Sequence, residues 1–305
     1  MNKILLIVLS IIGFSCSYSG DEKAVVDFSD TLPIEPNINA KGAKRVYIAI
    51  ASMTSPKETY TYYGDLISYI SDKVGHPIYI KQKKTYEEVN LLLERSEIDF
   101  AFICSGAFVE GYSHKKIKLL VAPEIDHKST YYAYIITQKE ASINSFEDFK
   151  NKSFAFTDPL SNTGRLFPLK ELLKIKTNEK DFFSKTIYTY GHDISIQMVN
   201  RGIINGASVH GLIFDYLAEN NPEKVENIKI IQYSETFGIP PVVTPISLPR
   251  DKANKYREIF LNIHKDSSGK RILDKLNINR FVVVDDTLYN NVFQLKKLIN
   301  HEYKN

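Results

Sequence analysis

Apolar residues recur along the chain at two spacings, and the change from one to the other marks its elements. Arg45-Val46-Tyr47-Ile48-Ala49-Ile50 reads as a first strand. Tyr62 to Val74 carries apolar residues at helical spacing and stops before Gly75. Pro77 to Ile80 is a short strand, and Thr85-Tyr86-Glu87-Glu88 is a capping-box signature opening a helix through Leu93. Ile98 to Cys104 and Leu119 to Val121 have the continuous apolar character of buried strands, and Tyr131 to Thr137 is a longer β-prone run. Ser145 to Asp148 opens a short helix, Ser153 to Thr157 is a strand, and a turn at 158–164 feeds a helix to about Leu173. A helix over His192 to Arg201, an apolar run at Ala207 to Val209 and strands at Ile228 to Ile231 and Val242 to Leu248 follow. Asp251 to His264, Gly269 to Leu276 and Thr287 to Ile299 are helical.

This alternation predicts an α/β protein whose sheets are mostly parallel and flanked by helices. The two long strands, Tyr131 to Thr137 and Val242 to Leu248, bracket 138–241. They predict a discontinuous first lobe, 44–137 with 242–305, and an inserted second lobe, 138–241, joined by a two-strand hinge. A cleft between hinged lobes suits a small ligand.

The first residues look like a targeting segment. Lys3 precedes the apolar run Ile4 to Phe14, which is too short to span a bilayer but suits a signal peptide. Ser15-Cys16 resembles the end of a bacterial lipobox, so residues 1–15 are expected to be cleaved and Cys16 lipidated; a plain signal peptide with an incidental cysteine is the alternative. Residues 17 to 43, rich in Ser, Asp, Pro and Asn, read as a tether, so that 16–43 forms a lipid-anchored flexible segment. The expected location is extracytoplasmic, at the membrane. Cys104 is then the one cysteine of the mature chain and reads as a buried small hydrophobe.

Composition narrows the function. A net charge of +3 over 305 residues gives no field suited to nucleic acid. The seven histidines show no metal-ligand spacing, and neither a Walker loop, a G-x-G-x-x-G nor a G-x-S-x-G elbow is present. No cofactor, metal or catalytic set is therefore expected. The informative stretch is Thr157 to Pro168, TDPLSNTGRLFP. A strand ends and a helix begins across Ser161, Asn162, Thr163 and Gly164, where hydroxyls and first-turn N–H groups can cradle an anion. The same residues also suit an ordinary N-cap, which this segment taken alone favours.

That stretch resembles the D-P-x-S-x-[ST]-G-x-x-x-P signature of the phosphate/phosphite/phosphonate transporter substrate-binding family, with Asp158, Pro159, Ser161, Thr163, Gly164 and Pro168 at its positions. Ile98 to Phe102, Gly191-His192-Asp193, Ile239 to Val243, Gly269 to Phe281 and Asp285 to Tyr289 resemble further family segments in the same order. The resemblance covers about residues 45 to 299. It implies a type 2 periplasmic-binding fold, no catalysis, and delivery of a small anion to an ABC permease by a monomer. By position it assigns the oxyanion to Ser161, Thr163 and Gly164, a further donor to His192, and a facing loop to Ser105 and Gly106. Ser52, Tyr62 and Tyr63 are weaker candidates. Members holding aminoalkylphosphonates carry acids where this chain has Leu212 and Pro240, and a tyrosine where it has Ile103, so such a ligand is not expected. A receptor of the same fold feeding a regulator is the main alternative, and a small hydrolytic enzyme a lesser one.

Overall fold

The computed structural model describes residues 45–303, all within one compact unit, Asn39–Asn305. Cys16 and the expected tether lie outside the described residues. In chain order the first elements are β1 (Val46–Ile50), α1 (Pro56–Val74), β2 (Ile78–Ile80), α2 (Tyr86–Glu94), β3 (Phe100–Phe102), α3 (Ser105–Ser113) and β4 (Ile117–Glu124). Next come β5 (Thr130–Tyr131), β6 (Ala133–Gln138), β7 (Ser153–Phe156), α4 (Phe167–Lys174), α5 (Glu179–Phe182) and β8 (Lys185–Tyr188). α6 (His192–Asn200), β9 (Gly206–His210), α7 (Gly211–Asn220), β10 (Ile228–Tyr233), β11 (Phe237–Gly238) and β12 (Val242–Pro245) follow. The last are α8 (Arg250–Asn262), α9 (Ser267–Lys275), β13 (Arg280–Val282) and α10 (Asn290–Glu302).

The local reasons match the sequence. Thr85 caps α2 with a full capping box, its hydroxyl accepting from the Glu88 N–H while the Glu88 carboxylate accepts from the Thr85 N–H at 2.9 Å. Gly75 ends α1 at φ +75°, a left-handed position that glycine adopts without strain. α1 starts earlier than its apolar spacing predicts. Pro56 sits in the first turn with Glu58 beside it, and this opening turn is polar and largely exposed.

Two sheets organise the chain, in the orders β13-β4-β12-β3-β1-β2 and β10-β6-β9-β7-β8. The expectation of mostly parallel sheets needs amending, because both are mixed. β1 is parallel to β2 and β3, and β7 to β8 and β9, whereas β12, β4 and β13, like β10 and β6, pair antiparallel. The chain returns to the first sheet through β12, which runs against both neighbours. The expected crossing at 137/138 also moves. β6 pairs with β9 and β10 along its whole length, so the sheet change falls between β4 and β6. There the outgoing and returning segments form a two-stranded ribbon, Tyr131 opposite Phe237 and Thr130 opposite Gly238.

Candidate functional site

The site begins where β7 ends. Ser161 caps a wide π-type turn over Asn162–Leu166, and α4 follows directly. Turns of this kind recur at functional sites because they free backbone groups from the regular ladder. The Ser161 Oγ accepts from the Gly164 N–H at 3.0 Å, so the capping role is real and the Gly164 N–H is not free for a ligand. The missing Cβ of Gly164 makes room for Thr157, whose Oγ1 would lie 2.3 Å from it, rather than for a ligand. The Asp158 carboxylate accepts from Leu160 N–H at 2.8 Å and from Tyr86 N–H at 3.0 Å, which pins the loop to the start of α2. Burial pushes this carboxyl upward.

Around this turn several polar side-chain atoms are buried and lack a partner among the described residues. They include Thr163 Oγ1, Asn162 Oδ1, His192 Nε2 and His210 Nδ1. Native proteins pair nearly all such atoms, so a group of them in one place points to a ligand. The four belong to one connected cluster. The His192 Nδ1 accepts from the His210 backbone N–H at 3.2 Å and lies 3.1 Å from the Thr157 hydroxyl. The His210 ring stacks on Tyr131 at 4.2 Å, and the Tyr131 hydroxyl meets Ser105 Oγ at 2.9 Å and Asn162 Nδ2 at 3.5 Å.

The tautomer of His192 follows from these contacts. A backbone N–H only donates, so Nδ1 is the acceptor and the ring proton sits on Nε2. Burial lowers the pKa of His192 to about 3, which keeps the ring neutral at ordinary pH. His210 is likewise pushed well below its ordinary value, by burial and then by His192. His192 Nε2–H is therefore a neutral, desolvated donor.

Stability against acid should report this. In the unfolded chain His192 protonates near its ordinary 6.5, in the folded chain only near 3. Between those values the unfolded state holds the extra proton, so stability falls as pH drops from 6.5 towards 3. Asp158 and Asp193, raised by burial, act in the opposite sense, which makes a difference measurement necessary. Urea unfolding of wild type and His192→Asn at pH 7.5 and pH 5 should show a shallower acid loss in the variant. Equal losses would mean that His192 is not held neutral.

The structure brings Ser105, Asn162, Thr163 and His192 together with Ser161 and Gly164. Gly106 lies against the same turn, where a Cβ would fall 2.2 Å from the Leu160 carbonyl oxygen and 2.8 Å from the Asn162 nitrogen. Ser52 does not join them, because its hydroxyl donates to the Lys83 carbonyl at 2.6 Å. Tyr62 and Tyr63 line a neighbouring cavity of about 640 Å³, with Leu212 and Pro240. Nothing in the sequence singles out Tyr131, Thr157 or His210 as site residues. The one faint signal is the place of His210 at a strand-to-helix junction, at the N-cap of α7, near in kind to His192 at the first position of α6. Among the described residues no group of three or more His, Cys, Asp or Glu is placed to hold a metal.

A curated relative in Prochlorococcus marinus, a probable ABC transporter phosphite binding protein, is 22% identical over 193 residues, covering 59% of this chain. The match spans 65% of that relative's own length, just under two thirds. Among solved structures, the binding protein component of an ABC phosphonate transporter from Pseudomonas aeruginosa superposes with a TM-score of 0.80 at 20% identity, covering 85% of this chain and 87% of its own. A binding protein from Prochlorococcus marinus in complex with methylphosphonate gives 0.76 at 18% identity, covering 84% and 98%. These likenesses establish the type 2 periplasmic-binding fold. The family model for the periplasmic substrate-binding protein of phosphonate ABC transporters matches residues 48–289, and the chain belongs to that family.

Proposed function

We propose that the chain captures a small phosphorus oxyanion (a phosphonate, phosphite or phosphate) between two lobes and hands it to an ABC transporter permease, with no chemistry on the ligand. The observation that carries this is the buried cluster of unpartnered polar atoms at Thr163, Asn162, His192 and His210. An oxyanion in such a place has lost its hydration, and preorganised donors must replace it. His192 Nε2–H and the Thr163 hydroxyl supply two. The Asn162 amide supplies another once its oxygen and nitrogen, which a hydrogen-bond network alone distinguishes, are exchanged. The paired Ser105 and Tyr131 hydroxyls, the Ser161 O–H and the N–H groups at the start of α3 complete the set. The relatives described as binding phosphite and methylphosphonate support the ligand class.

The lobes in this reading are the two sheets with their helices, and the ribbon of β5 and β11 is the hinge. A thermal-shift series with phosphate, phosphite, methylphosphonate, aminoethylphosphonate and sulfate tests it. A true ligand at about 100 times its Kd should stabilise the protein by about 2.7 kcal/mol. No shift with any phosphorus oxyanion would contradict the reading.

The anchor belongs to the same proposal. Cys16, following the apolar run and Ser15, is lipidated after removal of residues 1–15 and holds the protein outside the cytoplasm at the membrane. Cys16→Ser should move the protein from the detergent phase to the aqueous phase on partitioning. Unchanged partitioning would remove the lipid anchor from the account.

A further inference from the structure

The 640 Å³ cavity, partly open to solvent, offers far more room than a bare tetrahedral oxyanion needs. It meets the buried cluster at His210, whose ring is a wall of the cavity and also stacks on Tyr131. Much of its lining is apolar, with Met53, Phe102, Leu212, Ile239 and Pro240 among the residues that form it. Tyr62, Tyr63 and Tyr216 add aromatic surface, with Tyr62 and Tyr216 edge to face at 4.9 Å and Tyr63 on Phe102 at 5.2 Å.

The charge of this lining is one-sided. Among the described residues no lysine or arginine lines the cavity, whereas Asp126, Asp215, Glu219 and Asp274 do. Asp274 is offset by Lys270 at 2.9 Å. Asp215 and Glu219 instead accept from neutral groups, the Tyr134 hydroxyl at 2.8 Å and the Asn277 amide at 2.9 Å. Among the described residues neither they nor Asp126 has a basic partner. A second anionic group on a ligand would meet uncompensated carboxylates here and find no cation.

We infer that the solute is a phosphonate or phosphate monoester whose substituent is bulky, apolar and free of further negative charge. The inference rests on the oxyanion reading above. The phosphorus oxygens enter the His192 cluster, the substituent fills the cavity past His210 against Leu212 and Pro240, and the carboxylates of the lining reject ligands with a second anion.

Isothermal titration of the purified protein with inorganic phosphate, methylphosphonate, benzylphosphonate, phenyl phosphate and 4-carboxybenzylphosphonate tests this. Benzylphosphonate or phenyl phosphate should bind at least tenfold more tightly than methylphosphonate, because an aromatic ring leaves water for an apolar wall. Gain with the carbon–phosphorus ligand alone, or with the ester alone, identifies the source of the group. The carboxylated ligand should bind at least tenfold more weakly than benzylphosphonate, and Asp215→Asn with Glu219→Gln should narrow that gap. Methylphosphonate or phosphate binding as tightly as both aromatic ligands would overturn the inference and leave the oxyanion reading standing. Binding by none of the five would overturn the inference, and silence with phosphite as well would overturn the oxyanion reading itself.

Discussion

Replacing Gly106 by alanine should weaken oxyanion binding roughly tenfold to beyond a hundredfold while leaving the free protein folded. Gly106 lies in the first turn of α3, beside the first sheet, and faces the Leu160–Asn162 backbone, which belongs with the second. An added Cβ would lie 2.2 Å from the Leu160 carbonyl oxygen. Backbone on the far side cannot swing away as a side chain would, so the two halves must separate. Overpacking of this kind costs about 1–3 kcal/mol, and each 1.4 kcal/mol is tenfold in affinity. The helix itself should gain, since alanine exceeds glycine by about 0.5–1 kcal/mol inside a helix. Lost affinity with an unchanged or raised melting temperature therefore isolates closure. Gly106→Val should lose more, and scattering should show the wild type compacting with ligand while neither variant does. Wild-type affinity in Gly106→Ala would mean that the ligand does not need these segments in contact.

His192→Ala should produce the second large loss. Among the described residues its Nε2–H has no partner, and a hydrogen bond to a charged group contributes about 1.5–3 kcal/mol. The loss in affinity is then roughly ten- to a hundredfold. The ring also accepts from the His210 backbone N–H, so part of the effect comes through His210. Titration calorimetry of His192→Ala and His192→Asn separates these contributions, because the asparagine amide retains a donor. A loss equal in both variants with a disturbed fold would point to packing alone. Unchanged affinity in both would remove His192 from the site.

By contrast, Ser161→Ala should act on the fold as well as on the ligand. Its Oγ caps the turn at Gly164, and removing such a cap costs about 0.5–2 kcal/mol of stability.

Local chemistry made much of this legible in the sequence. The Thr85 cap, the Gly75 stop and the strand-to-helix turn at Ser161 depend on residues a few positions apart, and each stands where the pattern predicts it. What escaped depends on residues brought together from afar. Tyr131 joins Ser105 and Asn162, which lie 26 and 31 positions away, and nothing in its own strand distinguishes it from the other 18 of 19 tyrosines. Gly106 reads as a loop residue until Leu160 is seen against it. The sense of the strands escaped for a related reason. Periodicity gives a strand's faces but not the direction in which the chain returns to the sheet, and β12 reverses it.

In the proposed complex a phosphorus oxyanion is held by the neutral Nε2–H of His192. Nitrogen-15 NMR of the imidazole rings tests it most directly. With and without methylphosphonate at pH 7, the His192 ring should be neutral with its proton on Nε2, and addition of ligand should shift that Nε2–H resonance as a new hydrogen bond forms. A saturating ligand that leaves the His192 Nε2–H unchanged, or a ring protonated on both nitrogens in the free protein, would contradict it.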